Sequence, residues 1–239
     1  MNRPAPRVVA RASKLQLDYT PAGFWQRYVA WSLDWLILSP LLLLLVVPAF
    51  AQALSAGSEW LAGLQDWLLD RVLRGQASSS PIELMRALMA DPVQHQAAAL
   101  QVARMTAAVT KALVFTGLVA GIYFIGFEIS AWRATPGKRW LGLEVQDLAG
   151  NPPGPARAAL RFFSGILSWI TLNLGHAMVA FRQDGRALHD LVAGTRVVAH
   201  APMPPWARAF LWAQVLSLGL VTLAVVVRLF WMLGQIATM

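Results

Sequence analysis

Between Tyr28 and Leu54 the chain carries one charged residue, Asp34, inside an otherwise apolar run. No soluble core needs so long a run, and a bilayer core needs about 20 apolar residues in a helix. Two more runs follow. One covers about Ala107–Trp132, and the other is a clean apolar stretch over Ala209–Val227. The chain is 57% hydrophobic and 13% charged, against roughly 25% charged residues in soluble domains. The expected class is an all-α membrane protein with three full transmembrane helices.

The net charge of +8 does not point to nucleic acid, because the basic residues flank the apolar runs instead of forming one stripe. Loop Lys and Arg that set membrane orientation account for them better. The small-x-small sequence AFAQA at 49–53 imitates a signal cleavage site. However, about 28 mostly polar residues precede the apolar run, and Asp34 and Pro40 interrupt it, so the run reads as a retained span. There are no cysteines, which removes disulfides and thiolate metal sites.

Residues 1–22 read as a loose, basic cytoplasmic arm, with Arg3, Arg7, Arg11 and Lys14. The first span follows from about Trp25 to Ala51, with kinks expected at Pro40 and Pro48. Residues 55–105 form an amphipathic insertion. In it, Trp60, Leu61, Leu64, Trp67, Leu68 and Val72 recur at helical spacing, GQASSSP at 75–81 breaks the helix, and a second helix stops at Asp91-Pro92. This is the least basic loop and is expected outside. Residues 201–239 add a C-terminal transmembrane helix.

LGLEVQDLAGNPP and AGTRVVAH (193–200) each contain a short β-prone run, and these are expected to pair as a small cytoplasmic sheet. The apolar segment 162–181 lies between them. A single crossing would separate the runs, so its polar break TLNLGH (171–176) suggests a re-entrant hairpin turning near Asn173–Gly175. A simple third span is the alternative.

Asp34 carries the largest physical demand. An ionised Asp at a helix centre costs about 2.5–3.5 kcal/mol on insertion scales, so it must be protonated, paired or wetted. Arg27 is seven residues away, about 10 Å along a helix axis and beyond the usual i,i+4 reach. Arg161, Arg186 and His189 are the candidate cationic partners, and Glu128 ends the second span nearby. In RQDGRALHDLVAGT (182–195), Arg186 and Asp190 are spaced for an i,i+4 pair, and His189 is expected to titrate near pH 6.5. The bland reading of that segment is a solvated surface helix with one ion pair. Thr135-Pro136-Gly137-Lys138 reads as a turn and not a phosphate loop, since the preceding glycine and the following Ser/Thr are absent. His95 and His200 look like loop residues. His176, in the polar break, is most simply a hydrogen-bonded structural histidine. No nucleophile–base constellation, metal motif or cofactor motif is present, so no enzyme activity is expected.

GFWQRYVAWSLDWLIL (23–38), FEISAWRATPGKRWLGLEVQD (127–147) and RALHDLVAGTRVV (186–198) together resemble the RDD family of membrane proteins. Arg27 and Asp34 match the arginine and aspartate of the first helix, and Asp190, before Gly194-Thr195, matches the second aspartate. The resemblance implies a prokaryotic-type polytopic membrane domain over 23–200, interrupted at 55–105; the expected location is a bacterial inner membrane, with the basic N-terminus cytoplasmic by the positive-inside rule. The activities it implies are transport of a small ion or ligand, cation/proton antiport included, or service as an accessory subunit. The residue reading leaves the same pair open. One is a transporter using a polar cluster of Arg27, Asp34, Glu128, Arg161, Arg186, His189 and Asp190. The other is a scaffold in which that cluster is a structural clasp. Expected partners are the lipid bilayer and a second copy or another membrane protein.

Overall fold

The computed structural model describes residues 19–76 and 80–237, with side chains described as far as residue 235. Its elements are α1 (Phe24–Leu73), α2 (Pro81–Ala90), α3 (Pro92–Ile129), α4 (Pro136–Trp140), β1 (Leu143–Asp147), α5 (Pro155–Ile170), α6 (Leu174–Phe181), α7 (Leu188–Ala193), β2 (Thr195–Ala199) and α8 (Pro205–Ala237). Among the described residues three helices are long and apolar enough to cross a bilayer: α1, α3 and α8 over Pro205–Gln235.

The described chain divides into two compact units. One comprises the chain up to Asp34 and from Tyr123 onwards; the other is Trp35–Ile122. In the second unit, α1 continues without a break through residue 55 and through both Pro40 and Pro48. Asp91 then starts α3, because its Oδ1 accepts the backbone N–H of Val93 (2.9 Å) and of Gln94 (3.3 Å), with Pro92 at the first helical position. Its other oxygen accepts the indole N–H of Trp67 at 2.8 Å. Glu59 and Arg104 pair at 3.1 Å. Both are about half exposed, so the pair adds at most about 1 kcal/mol.

The first unit holds the functional motifs. β1 and β2 pair antiparallel, Leu143 opposite Ala199 and Asp147 opposite Thr195. The expected loose arm ends earlier than residue 22. Pro21 bridges Val198, the Ala22 N–H donates to Val197 O at 3.0 Å and the Ala199 N–H donates to Thr20 O at 2.9 Å, so these residues line the open edge of β2. The remainder of the arm, through residue 18, lies outside the described residues. The core beneath the hairpin is Val29, Ala30 and Leu33 of α1 with Leu141, Leu143, Val145, Val197 and Ala207. Gln26 fastens it, donating from Nε2 to Leu141 O and Ala201 O, each at 3.1 Å.

α5 and α6 meet at 99° across the break, where Leu172 and Asn173 adopt positive φ. A pair bent this sharply is a broken span or a re-entrant loop, and the strands that flank it are themselves paired. Leu160, Phe163, Ile166 and Ile170 remain exposed along α5. They form an apolar face suited to acyl chains, while Ala158, Arg161, Ser164 and Ser168 are buried on the other side.

Candidate functional site

Asp34 is fully buried. The sequence suggests a cation as its partner, and the structure corrects this. Its carboxylate accepts hydrogen bonds from the Thr135 hydroxyl (2.5 Å), the Gly137 backbone N–H (2.8 Å) and the Tyr123 hydroxyl (2.9 Å). Among the described residues no cation lies within ion-pair distance of it. Thr135 is the N-cap of α4, and its Oγ1 accepts from the Lys138 N–H. Asp34 therefore anchors the TPGK turn against α1. Three donors satisfy most of a carboxylate's hydrogen-bonding capacity, which offsets the cost of burying so polar a group.

The neighbouring charges form one connected chain. Arg27 donates to Asp190 Oδ2 at 2.6 Å. Arg161 pairs with Asp190 Oδ1 and reaches Glu128 Oε2 at 3.3 Å. Lys138 pairs with the other Glu128 oxygen. With Asp34, three cations (Arg27, Arg161, Lys138) meet three carboxylates (Asp34, Glu128, Asp190), so the cluster sums to zero charge if all are ionised. The remaining donors of Arg27 go to backbone carbonyls, Ala22 O at 3.1 Å and Gly185 O at 2.5 Å. Gly185 is needed at this point. It has φ +61°, and a Cβ there would lie 2.6 Å from the Pro21 side chain. Asp190 also accepts the Ala187 N–H at 3.0 Å, capping α7, and Arg161 reaches the Thr195 hydroxyl at 3.4 Å. Gly194, with φ +63°, ends α7 just before it.

Two further expectations are corrected. Arg186 does not pair with Asp190. Helix α7 begins at Leu188, so Arg186 lies in the preceding turn, where the i,i+4 rule has no meaning, and its Nε pairs with Asp184 at 2.8 Å. His189 does not titrate near its ordinary value of 6.5. Burial, reinforced by the Arg161 charge and only partly opposed by Asp190, holds its proton affinity well below that. Sequence reasoning missed Tyr123, although it is the one tyrosine of the second apolar run. Gln26 carries no comparable signal.

Asp190 binds its proton more weakly than a free aspartate. Burial alone would raise its pKa, but Arg161 and Arg27 outweigh it. Both residues then act in one direction. A group with a depressed folded-state pKa stabilises the fold above its unfolded pKa and loses that contribution as pH falls. Stability should therefore decline in two stages on acidification, from about pH 6.5 for His189 and from about pH 4 for Asp190. Thermal unfolding in nanodiscs across pH 8 to 3 measures this. His189→Gln should reduce the slope of the first stage and leave the second.

The RDD family profile matches residues 21–194, a range that includes Arg27, Asp34, the TPGK turn and Asp190, while α8 lies beyond it. The "Uncharacterized protein YxaI" of Bacillus subtilis (strain 168) is 28% identical over 178 residues, 74% of this chain and 97% of its own length. An "Uncharacterized protein" of Haemophilus influenzae is 33% identical over 91 residues, 35% of this chain and 58% of its own. No solved structure matches the chain.

Proposed function

Because the chain belongs to the RDD family, we propose that it is a non-enzymatic, multi-pass protein of the bacterial inner membrane in which the buried charge cluster is a structural clasp, and that it serves as a scaffold or accessory subunit. The supporting observation is the closure of the cluster. Asp34 is fully buried on three neutral donors, and Asp190 is held by two arginines. An ion-binding carboxylate must exchange its partners for the ion, and the partners of both are committed. The clasp ties α1, the end of α3, the TPGK turn, α5 and α7 together. Its partners are the bilayer and a second copy or another membrane protein, with no role for nucleic acid.

Transport of a small ion or ligand is the second reading. It draws on the bent break between α5 and α6, since broken helices commonly build ion sites in transporters. In that reading Asp34 binds the cation or proton, and Arg27 and Asp190 gate it. Reconstitution into proteoliposomes separates the two. The clasp requires no sodium or proton flux from wild type, together with lower thermal stability for Asp34→Asn. Cation flux in wild type that Asp34→Asn abolishes would replace the clasp with transport.

The same proposal sets the orientation. The hairpin side carries Arg133, Lys138, Arg139, Arg157, Arg186, Arg196 and Arg208, and the positive-inside rule places such a side in the cytoplasm. The N-terminus then lies inside, and three crossings leave the C-terminus outside. The less basic stretch 55–105 lies toward the outer face. A C-terminal alkaline phosphatase fusion should be active and a C-terminal GFP fusion dark. The opposite pattern would overturn the orientation.

A further inference from the structure

Beside the ion bridge, three buried polar atoms have no hydrogen-bond partner among the described residues: Ser168 Oγ, His176 Nδ1 and His189 Nδ1. They come from the successive elements α5, α6 and α7, which pack on one another around Gly175. Ser168 is fully buried, and its side chain presses on the open face of Gly175, the residue before His176. The same glycine faces Leu188, the residue before His189. The two imidazole rings have centroids 5.2 Å apart, tilted by 54°. His189 Nε2 lies 3.6 Å from Asp190 Oδ1, so the spot adjoins the clasp. Native proteins leave few buried polar groups unbonded, and three at one place is a concentrated demand for a partner.

We propose that Ser168, His176 and His189 form a binding site for one water-sized, neutral, protic molecule. The donor set selects that chemistry. A serine hydroxyl both donates and accepts, and a neutral imidazole presents either a proton or a lone pair at Nδ1. Such a trio is satisfied by a molecule that donates and accepts at once, and a buried water typically makes two to four such bonds. A metal ion fits poorly. Among the described residues no group of three or more His, Cys, Asp or Glu is placed to hold one, and Asp190 is already committed to Arg27 and Arg161. A second cation would meet those arginines. An anion would meet the Asp190 carboxylate, whose charge offsets them. Gly175 lets α5 and α7 pack close against α6, since a Cβ there would lie 2.9 Å from Leu188 and collide with the Ser168 hydroxyl.

The test uses the full chain, labelled with 15N-histidine, in nanodiscs at pH 8, read by solid-state NMR with magnetisation transfer from water. The Nδ1 signals of His176 and His189 should show hydrogen-bonded nitrogen and receive magnetisation from water. Ser168→Ala should lose that transfer while circular dichroism stays unchanged. Free lone-pair signals without transfer in wild type would mean a dry contact and overturn the proposal. So would unchanged transfer in Ser168→Ala, and so would signals that move when chloride is replaced by gluconate, because an anion would then hold the site.

Discussion

Asp190→Ala should remove a large share of the protein's thermal stability. The substitution strands Arg27, which is largely buried, takes one of two carboxylates from the buried Arg161, and leaves the Ala187 N–H without its cap. Breaking a buried ion pair by deleting one partner costs about 3–5 kcal/mol, against a total of about 5–15 kcal/mol for a folded domain. For a chain of this size that corresponds to a fall of on the order of 10 °C in the unfolding midpoint. Arg161 keeps Glu128 as a partner, so the damage should centre on Arg27, the start of α1 and α7. Arg186→Ala provides the contrast. Its partner Asp184 also pairs with Arg182 at 2.9 Å, so the loss should stay below about 1 kcal/mol. Midpoints measured in the same detergent should therefore differ clearly. Equal midpoints for the two variants would show that Asp190 carries no special load.

Gly137→Val should be nearly as damaging, through sterics in place of charge. A Cβ at Gly137 would collide with the Ala30 carbonyl of α1 and lie 2.8–2.9 Å from the Asp34 carboxylate. A helix backbone cannot step aside, so α4 must leave α1, and Asp34 then loses the Gly137 N–H. Overpacking costs about 1–3 kcal/mol, and a lost hydrogen bond to a charged group costs about 1.5–3 kcal/mol. The combined expectation is about 3–5 kcal/mol, read as a loss of folded protein by fluorescence-detected size exclusion. Gly165→Ala is the control. Nothing lies within 4 Å of a Cβ at that position of α5, so the change should be neutral or stabilise the helix by up to about 1 kcal/mol. Two glycine substitutions with opposite outcomes would tie the effect to the Asp34 contact.

The features that sequence reveals here are those with a period or a boundary. The spans show as long, mostly apolar runs. The helix stop at Asp91-Pro92 shows because proline chemistry is local, whereas the capping role of the Asp91 side chain does not. The pairing of 143–147 with 195–199 shows because both runs lie between turn signals, and the bend at 171–173 shows in the polar break TLNLGH. The partners of Asp34 are not legible in this way. A backbone N–H at Gly137 has no residue type to announce it, and a hydroxyl at Thr135 looks like any other cap. Arg186 misleads for a related reason, because i,i+4 spacing has meaning only where a helix exists, and α7 starts two residues later. The continuity of α1 across residue 55 is likewise hidden, since a change from lipid-facing to amphipathic composition does not interrupt a backbone.

Arg27 and Asp190 are separated by 163 positions in the chain. Ribosomes add about 5–20 residues per second, so the first helix reaches the bilayer roughly 8–30 seconds before its counter-ion has been synthesised. During that interval the guanidinium must stay in the headgroup layer or be shielded by the insertion machinery. Biogenesis of this fold is therefore exposed to an unpaired charge from the moment α1 emerges until the last third of translation, and a cell that slows elongation lengthens that exposure in proportion.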